Sequence, residues 1–263
     1  MSKRVVKAVS MMLMLVMVLG LLAGCGKKDK STWEAIKEEG KFTFACSGGY
    51  PPFNYIDDNG DLVGFDVEIA QALGEVMGVK AEGITTEWDG IIGGLTGNRF
   101  DTIIGSMAIT EERLKQVSFT DPYYYDGAQF FAPADKGFTS LSDENVTKVG
   151  VVTGTTFEGE LEKYPNVTDI LNYTSDEENF IAANQGRTDG LVTSRFVGLE
   201  APEEYNLVPV GDLLYTENIG IAIRKEDTEL LDNLNDALKT IIDNGKYDEI
   251  SQKYFGCNIL ETK

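Results

Sequence analysis

Two similar α/β lobes are predicted for this 263-residue chain. Short apolar runs alternate with segments of helical spacing along most of the sequence, which is the mark of parallel sheet with helices on its faces. A small pattern also occurs twice: Gly97-Asn98-Arg99-Phe100-Asp101 is followed by four residues and Ser106, and Gly186-Arg187-Thr188-Asp189 by four residues and Ser194. In both copies a helix ends at Gly, a strand opens at Asp, and Ser stands at the strand's carboxyl end. Finally, Asp121-Pro122-Tyr123-Tyr124-Tyr125-Asp126-Gly127 interrupts the alternation between the two series. In sheets of this kind a ligand belongs outside the carboxyl ends of the strands.

The elements follow in order. Phe42, Phe44 and Cys46 alternate with Thr43 and Ala45 as a first strand, and Val67, Ala70, Leu73, Val76 and Met77 give a helix over 66–77 that Gly78 stops. A strand over 79–85 and a helix over 88–96 come next. Ile103 and Ile104, bounded by Asp101 and Gly105, read as a strand buried on both faces. Thr110 caps a new helix and places Arg113 in its first turn, where unpaired N–H groups, the positive dipole end and a planar guanidinium all favour a carboxylate. The second series has an extended stretch at 128–132, a strand at 149–152, a turn at 153–156 and a helix over 157–164. A capping box from Ser175 to Glu178 opens a helix through 184, and a strand at 190–193 and a helix at 196–200 follow. A strand at 219–223 and amphipathic helices over 228–244 and 247–254 end the chain.

Lys3, Arg4 and Lys7 precede an uncharged apolar run over 11–22, the three-part form of a signal peptide and too short and early for a spanning helix. Leu22-Ala23-Gly24-Cys25 resembles the bacterial lipoprotein cleavage box, so 1–24 are expected to be removed, Cys25 to be lipidated, and polar 25–31 to tether the domain to a membrane. The chain carries 23 Lys+Arg against 43 Asp+Glu and a formal net charge of −20, which disfavours nucleic-acid binding. It has no histidine. That removes Ser/His and Cys/His nucleophilic pairs, histidine metal sites and histidine acid–base chemistry. An exported compartment permits a Cys46–Cys257 disulfide, and two separate thiols are the equal alternative.

An ordered set of segments extends these readings. It comprises Gly49-Tyr50-Pro51-Pro52-Phe53, Leu62-Val63-Gly64-Phe65-Asp66-Val67, Trp88-Asp89-Gly90-Ile91-Ile92, Thr110-Glu111-Glu112-Arg113, Ser118-Phe119-Thr120-Asp121-Pro122-Tyr123-Tyr124, Asn244-Gly245-Lys246-Tyr247 and Lys253-Tyr254-Phe255-Gly256. Together they resemble the extracellular solute-binding proteins of polar amino-acid ABC importers, over nearly all of the chain past the tether. The resemblance implies the two-lobed, type II periplasmic-binding-protein fold with two crossing hinge strands. Lobe 1 would comprise 32–125 and 221–263 and lobe 2 would comprise 126–220, with hinges near 123–127 and 217–220 and the C-terminal helices back on lobe 1.

The resemblance also implies a site. Tyr50 and Trp88 match aromatic positions that sandwich the ligand, while Phe53 reads as core. Arg113 matches the carboxylate-binding arginine, with Ser106 and the backbone at Ala108 as further donors. Thr155 and the N–H of Thr156 match donors from the second lobe. This sequence departs from the family in two places. Ala108 stands where a hydroxyl is common, and Ser194 replaces an aspartate that pairs with the ligand's α-ammonium. Serine offers no charge compensation to a buried ammonium. Another acid would have to reach the amine, with Asp126 and Glu217 nearest the crossings, or else the amine is altered or bound weakly. Val152 and Ser47, at other side-chain-reading positions, are uncharged and argue against a strongly charged ligand side chain. The function implied is capture of an amino acid or related carboxylate by a monomeric, lipid-anchored receptor on the outer face of the cytoplasmic membrane, which docks on an ABC permease. No cofactor, metal or catalytic residue is expected. The alternative is a dehydratase-like enzyme of the same fold acting on a cyclic hydroxy-carboxylate, with Glu158 as its cleft acid. Ligand identity stays open.

Overall fold

A computed structural model describes residues 30–261; the leader, Cys25 and the tether as far as residue 29 lie outside the described residues. Helix α1 (Thr32–Glu39) leads into β1 (Lys41–Cys46), and β2 (Gly49–Tyr50), β3 (Asn54–Ile56) and β4 (Leu62–Val63) form a small antiparallel sheet. Helix α2 (Phe65–Met77), β5 (Lys80–Thr85), α3 (Ile91–Thr96), β6 (Thr102–Ile103), α4 (Glu111–Leu114) and β7 (Val117–Phe119) complete the first series. The second contains β8 (Tyr124–Pro133), β9 (Lys148–Val152), α5 (Thr156–Leu161), β10 (Asp169–Tyr173), α6 (Asp176–Asn184), β11 (Gly190–Ser194), α7 (Arg195–Leu199) and β12 (Leu207–Ile219). The chain then adds β13 (Ala222–Arg224), α8 (Thr228–Asp243) and α9 (Lys246–Phe255).

These strands make two five-stranded sheets of matching topology, in the orders β5-β1-β6-β13-β7 and β10-β9-β11-β8-β12. Each has four strands running one way and one against them: β13 pairs antiparallel with its neighbours β6 and β7, and β8 with β11 and β12. The fold is therefore α/β and two-lobed. Between the sheets β8 and β12 run side by side, with Tyr124 opposite Ile219 and Asp126 opposite Glu217. Helices α8 and α9 return to pack on α2. Leu230, Leu234, Ala237, Leu238 and Ile241 of α8 face inward at helical spacing, as a surface helix requires.

Local chemistry explains where the elements begin. Thr110 Oγ1 accepts from Arg113 N at 3.2 Å and Ser175 Oγ from Glu178 N at 3.3 Å, so both predicted caps form. Gly90, at φ 87°, turns the chain before α3, so that helix starts at Ile91 rather than at residue 88. The stretch expected at 128–132 is extended back to Tyr124, where pairing with β12 overrides the Pro-Tyr turn signal. The strand expected at 219–223 is divided at Gly220 and Ile221, because Ile219 belongs to one sheet and Ala222 to the other. Strands β2, β3, β4, β7, β10 and β12 carry no strong sequence signal: most are two to five residues long, and β12 is a half-exposed edge. Cys46 and Cys257 are both free thiols, which decides the disulfide question.

Candidate functional site

A cavity of about 230 Å³ opens where the carboxyl ends of β1, β6, β9 and β11 converge. All eight site residues singled out in the sequence line it: Tyr50, Trp88, Ser106, Ala108 and Arg113 from the first lobe, and Thr155, Thr156 and Ser194 from the second. Phe53 does not; it is fully buried and stacks on Tyr124 with ring centres 4.9 Å apart, as a core residue does.

Arg113 forms one part of the lining. The Thr110 cap fixes its backbone, and the side chain is 9% exposed, with Nη1 donating to the Ala108 carbonyl at 2.9 Å. Its Nη2 donates across the cleft to the Gly154 carbonyl at 3.3 Å, and the guanidinium lies 5.6 Å from the centre of the Trp88 ring. Trp88 Nε1 donates to that same carbonyl at 3.3 Å. Gly154 presents it from a left-handed turn at φ 77°, a conformation glycine adopts without a Cβ penalty. Burial lowers the Arg113 pKa and the facing Glu217 opposes the shift, so the group stays a cation.

Behind the cavity wall lies a buried network. Ser106 adopts φ 61°, a strained value for a residue with a side chain. Its N–H donates to the Tyr123 hydroxyl at 3.1 Å and its Oγ to Asp66 Oδ2 at 2.8 Å. Asp66 also accepts from the Tyr123 hydroxyl at 2.7 Å and from Asn54 Nδ2 at 2.8 Å. Burial pushes its carboxyl up to about 6 in spite of those three donors. The Ser106 hydroxyl proton is thus already committed. Thr155 Oγ1 likewise donates to the Val152 carbonyl at 2.7 Å, and Thr156 Oγ1 to Glu217. In this arrangement the Ser106 and Thr155 hydroxyls already donate within the protein, which leaves their oxygens as acceptors.

Buried acids form another part of the lining. Ser194 Oγ donates to Asp126 Oδ2, and the other oxygen, Oδ1, lies 3.6 Å from Arg195 Nε with no hydrogen-bond partner. Strand register makes the meeting possible: Ser194 is opposite Ala128 on β8, so Asp126, two residues along, is its diagonal neighbour on the same face. Asp126 is 5% exposed, and burial raises its pKa to about 7 against the pull of the Ser194 hydroxyl, the Gly127 N–H and Arg195. Asp176, the first residue of α6, also lines the cavity and is also 5% exposed. Burial raises it to about 6, opposed only by the Thr193 hydroxyl. The Tyr50 phenol sits in this acidic environment, its pKa raised first by burial and then by Asp176 and Asp126.

Residues 42–257 match the family model of bacterial extracellular solute-binding proteins, family 3. The chain belongs to that family. Among the relatives of this solute-binding protein is the L-cystine-binding protein TcyJ of Escherichia coli, 32% identical over 95% of the chain and 96% of the relative. The L-arginine-binding protein of Pseudomonas aeruginosa is 35% identical over 80% of the chain and 86% of its own length. A crystal structure of an ABC uptake transporter substrate-binding protein from Streptococcus pneumoniae with bound histidine superposes with a TM-score of 0.83 at 25% identity, covering 89% of this chain and all of that one.

Against that background the solute-binding protein is a carrier of solute rather than an enzyme. Glu158, nominated for the enzymatic alternative, does not line the cavity and instead accepts from Asn172 Nδ2 at 2.9 Å. Two further lining groups were not chosen as site residues from sequence. Asp126 is one of the two acids that the sequence offers for an ammonium, and Asp176 stands inside the Ser175–Glu178 capping box with no signal of its own. A carboxylate immediately after an N-cap is common on solvated helices. Among the described residues no helix is long and apolar enough to cross a membrane, and no group of three or more Cys, Asp or Glu is placed to hold a metal.

Proposed function

We propose that this protein captures a free amino acid between its lobes, with the α-carboxylate on Arg113 and the α-ammonium on Asp126, and delivers it to an ABC permease. The observation that carries the reading is a single cavity lined by both a buried guanidinium, Arg113, and a buried, incompletely paired carboxylate, Asp126. Asp126 supplies the charge that Ser194 lacks, and Ser194 orients it. Ser106 and Thr155 turn lone pairs towards the ligand's N–H groups, while Arg113 and the N–H of Thr156 take its carboxylate. Tyr50 and Trp88 cover it. A charge-assisted hydrogen bond contributes about 1.5–3 kcal/mol, and micromolar affinity requires about 8 kcal/mol. One such bond at each charge therefore supplies a large part of the binding. Relatives named for cystine, arginine and histidine support an amino-acid ligand.

Closure follows from the same contacts. A ligand touching Arg113 of lobe 1 (32–125 and 221–263) and Asp126 and Thr156 of lobe 2 (126–220) interacts more strongly with the closed form and so populates it. The paired strands near 123–127 and 217–220 are the hinges. Outside the cell the protein acts as a monomer held by lipid on Cys25.

Isothermal titration of the ligand-stripped protein against the common amino acids tests this. One or more should bind with micromolar or tighter affinity, Arg113→Ala should abolish the heat, and Asp126→Asn should weaken binding at least about tenfold, the loss of one charge-assisted contact. Silence across the panel, or full affinity in Arg113→Ala, refutes the reading.

A further inference from the structure

Once an amino acid is placed between Arg113 and Asp126, one buried group in the cavity still has no counterpart. Asp176 is 5% exposed, its Oδ1 has no hydrogen-bond partner, and it lines the cavity together with Thr174 and Ser175. The residues around it are not cations. The polar group that acts on it is the neutral Thr193 hydroxyl, and α6 packs against β2, which carries Tyr50. Asp126 differs in having both the Ser194 hydroxyl and the Arg195 guanidinium beside it.

The charges do not balance. Asp126, Asp176 and Glu217 line the cavity, with Glu87 at its exposed rim, and Arg113 is the only cation among the lining residues. Arg195 adds a positive charge behind Asp126, and Glu217 and Arg113 face each other. A zwitterion brings one charge of each sign and leaves Asp176 as it was. A ligand with one additional positive charge compensates it. Removing a carboxylate from water without a partner is costly, so the gain from pairing it is correspondingly large.

We infer that Asp176 reads a second cationic centre on the ligand, and that the physiological ligand is therefore a basic amino acid. The inference rests on the amino-acid reading above and narrows it. It reverses the expectation drawn from uncharged Ser47 and Val152, because the charge that meets the ligand's side chain comes from the start of α6 instead. The Tyr50 ring, beside Asp176, offers an aromatic face to the same cation. Asp176 acts as a specificity-determining residue and leaves the two α-group contacts unaltered.

The test pairs ligands that differ in charge and little else. Isothermal titration of the full, ligand-stripped protein at neutral pH should give at least about tenfold tighter binding of arginine than of citrulline, and of lysine than of norleucine. In Asp176→Asn the arginine-to-citrulline ratio should fall below about threefold, and Asp176→Glu should restore part of it. A thermal melt of each variant establishes that it is folded, and the wild-type ratios stand without any variant. Equal affinity for the charged and neutral partners in wild type, or an undiminished ratio in folded Asp176→Asn, overturns the inference while the amino-acid reading survives. Failure of every amino acid to bind overturns both.

Discussion

At the residue scale, Ser106 shows how the site holds a strained group in place. Its left-handed backbone is tied down by the Tyr123 hydroxyl, and its side chain by Asp66. Tyr123 is fully buried and both accepts from Ser106 and donates to Asp66, so removing its oxygen orphans two buried groups at once. Tyr123→Phe should therefore cost about 1–3 kcal/mol per orphaned group in denaturant unfolding, and should weaken ligand binding by releasing Ser106. A loss below about 0.5 kcal/mol would mean that the network contributes little. Asp126 and Ser194 are the second instructive pair. Neither residue alone is a good reader of an ammonium, since the acid's charge needs orientation and the serine has no charge.

The relevant elements are the two connecting strands and the turn before α5. Strands β8 and β12 place Asp126 directly opposite Glu217, a like-charged cross-strand pair that is unfavourable by itself. Burial, and then the Glu217 charge, raise the Asp126 pKa, and an ammonium bound there as proposed would lower it again. Ligand binding near pH 6.5 should accordingly release protons, so that the measured heat varies with the ionisation enthalpy of the buffer; a slope of zero would contradict the placement of the ammonium on Asp126. The 153–156 turn acts across the cleft, since Gly154 accepts from both Trp88 and Arg113. Trp88→Phe keeps an aromatic face and removes one of the two donors. It should shift the unliganded protein towards the open form by about 1 kcal/mol, read as a longer mean distance between fluorophores placed on the two lobes. An unchanged distance would show that the Trp88 contact does not bias closure.

For the molecule as a whole, the buried acids set an unusual pH response. Asp66 and Asp176 lie at about 6 and Asp126 at about 7, all above the unfolded value near 3.9. A carboxyl raised on folding binds more protons in the native state than in the unfolded chain over that interval. Stability therefore falls as pH rises from about 4 to about 7. Exposed carboxylates such as Asp57 and Asp143 are held low by local hydrogen bonds and work in the opposite sense, but solvent screens them. Urea unfolding of the unliganded protein should give a slope of this sign, and saturating ligand should flatten it. A stability that rises across the interval, or a slope indifferent to ligand, would count against buried acids waiting for a cation. Self-repulsion from a net charge of −20 also falls away at low pH, but ligand does not relieve it, so the liganded comparison separates the two causes.

Much of this architecture is local and was readable along the chain. The strand–helix alternation, the caps at Thr110 and Ser175, the repeated Gly-to-Ser pattern and the anion-seeking position of Arg113 each depend on residues within a turn or two of one another. The arginine of the site follows from them. The acids do not. Ser194 meets Asp126 because β11 and β8 pair in one antiparallel register, and Asp176 joins them because α6 packs where the lobes face each other. The three residues are far apart in sequence, and a one-residue slip of that register would turn Asp126 to the other face of the sheet. Hydroxyl direction was also beyond reach, since the protons of Ser106, Thr155 and Ser194 are committed to acceptors that only the folded chain supplies. The sequence by itself determined a two-lobed α/β fold of the solute-binding kind and put an arginine in the first turn of a capped helix beside the cavity. Which acids line the cavity was decided by tertiary structure, because strand register and lobe packing bring distant carboxylates together there and burial leaves oxygens of Asp126 and Asp176 without a hydrogen bond.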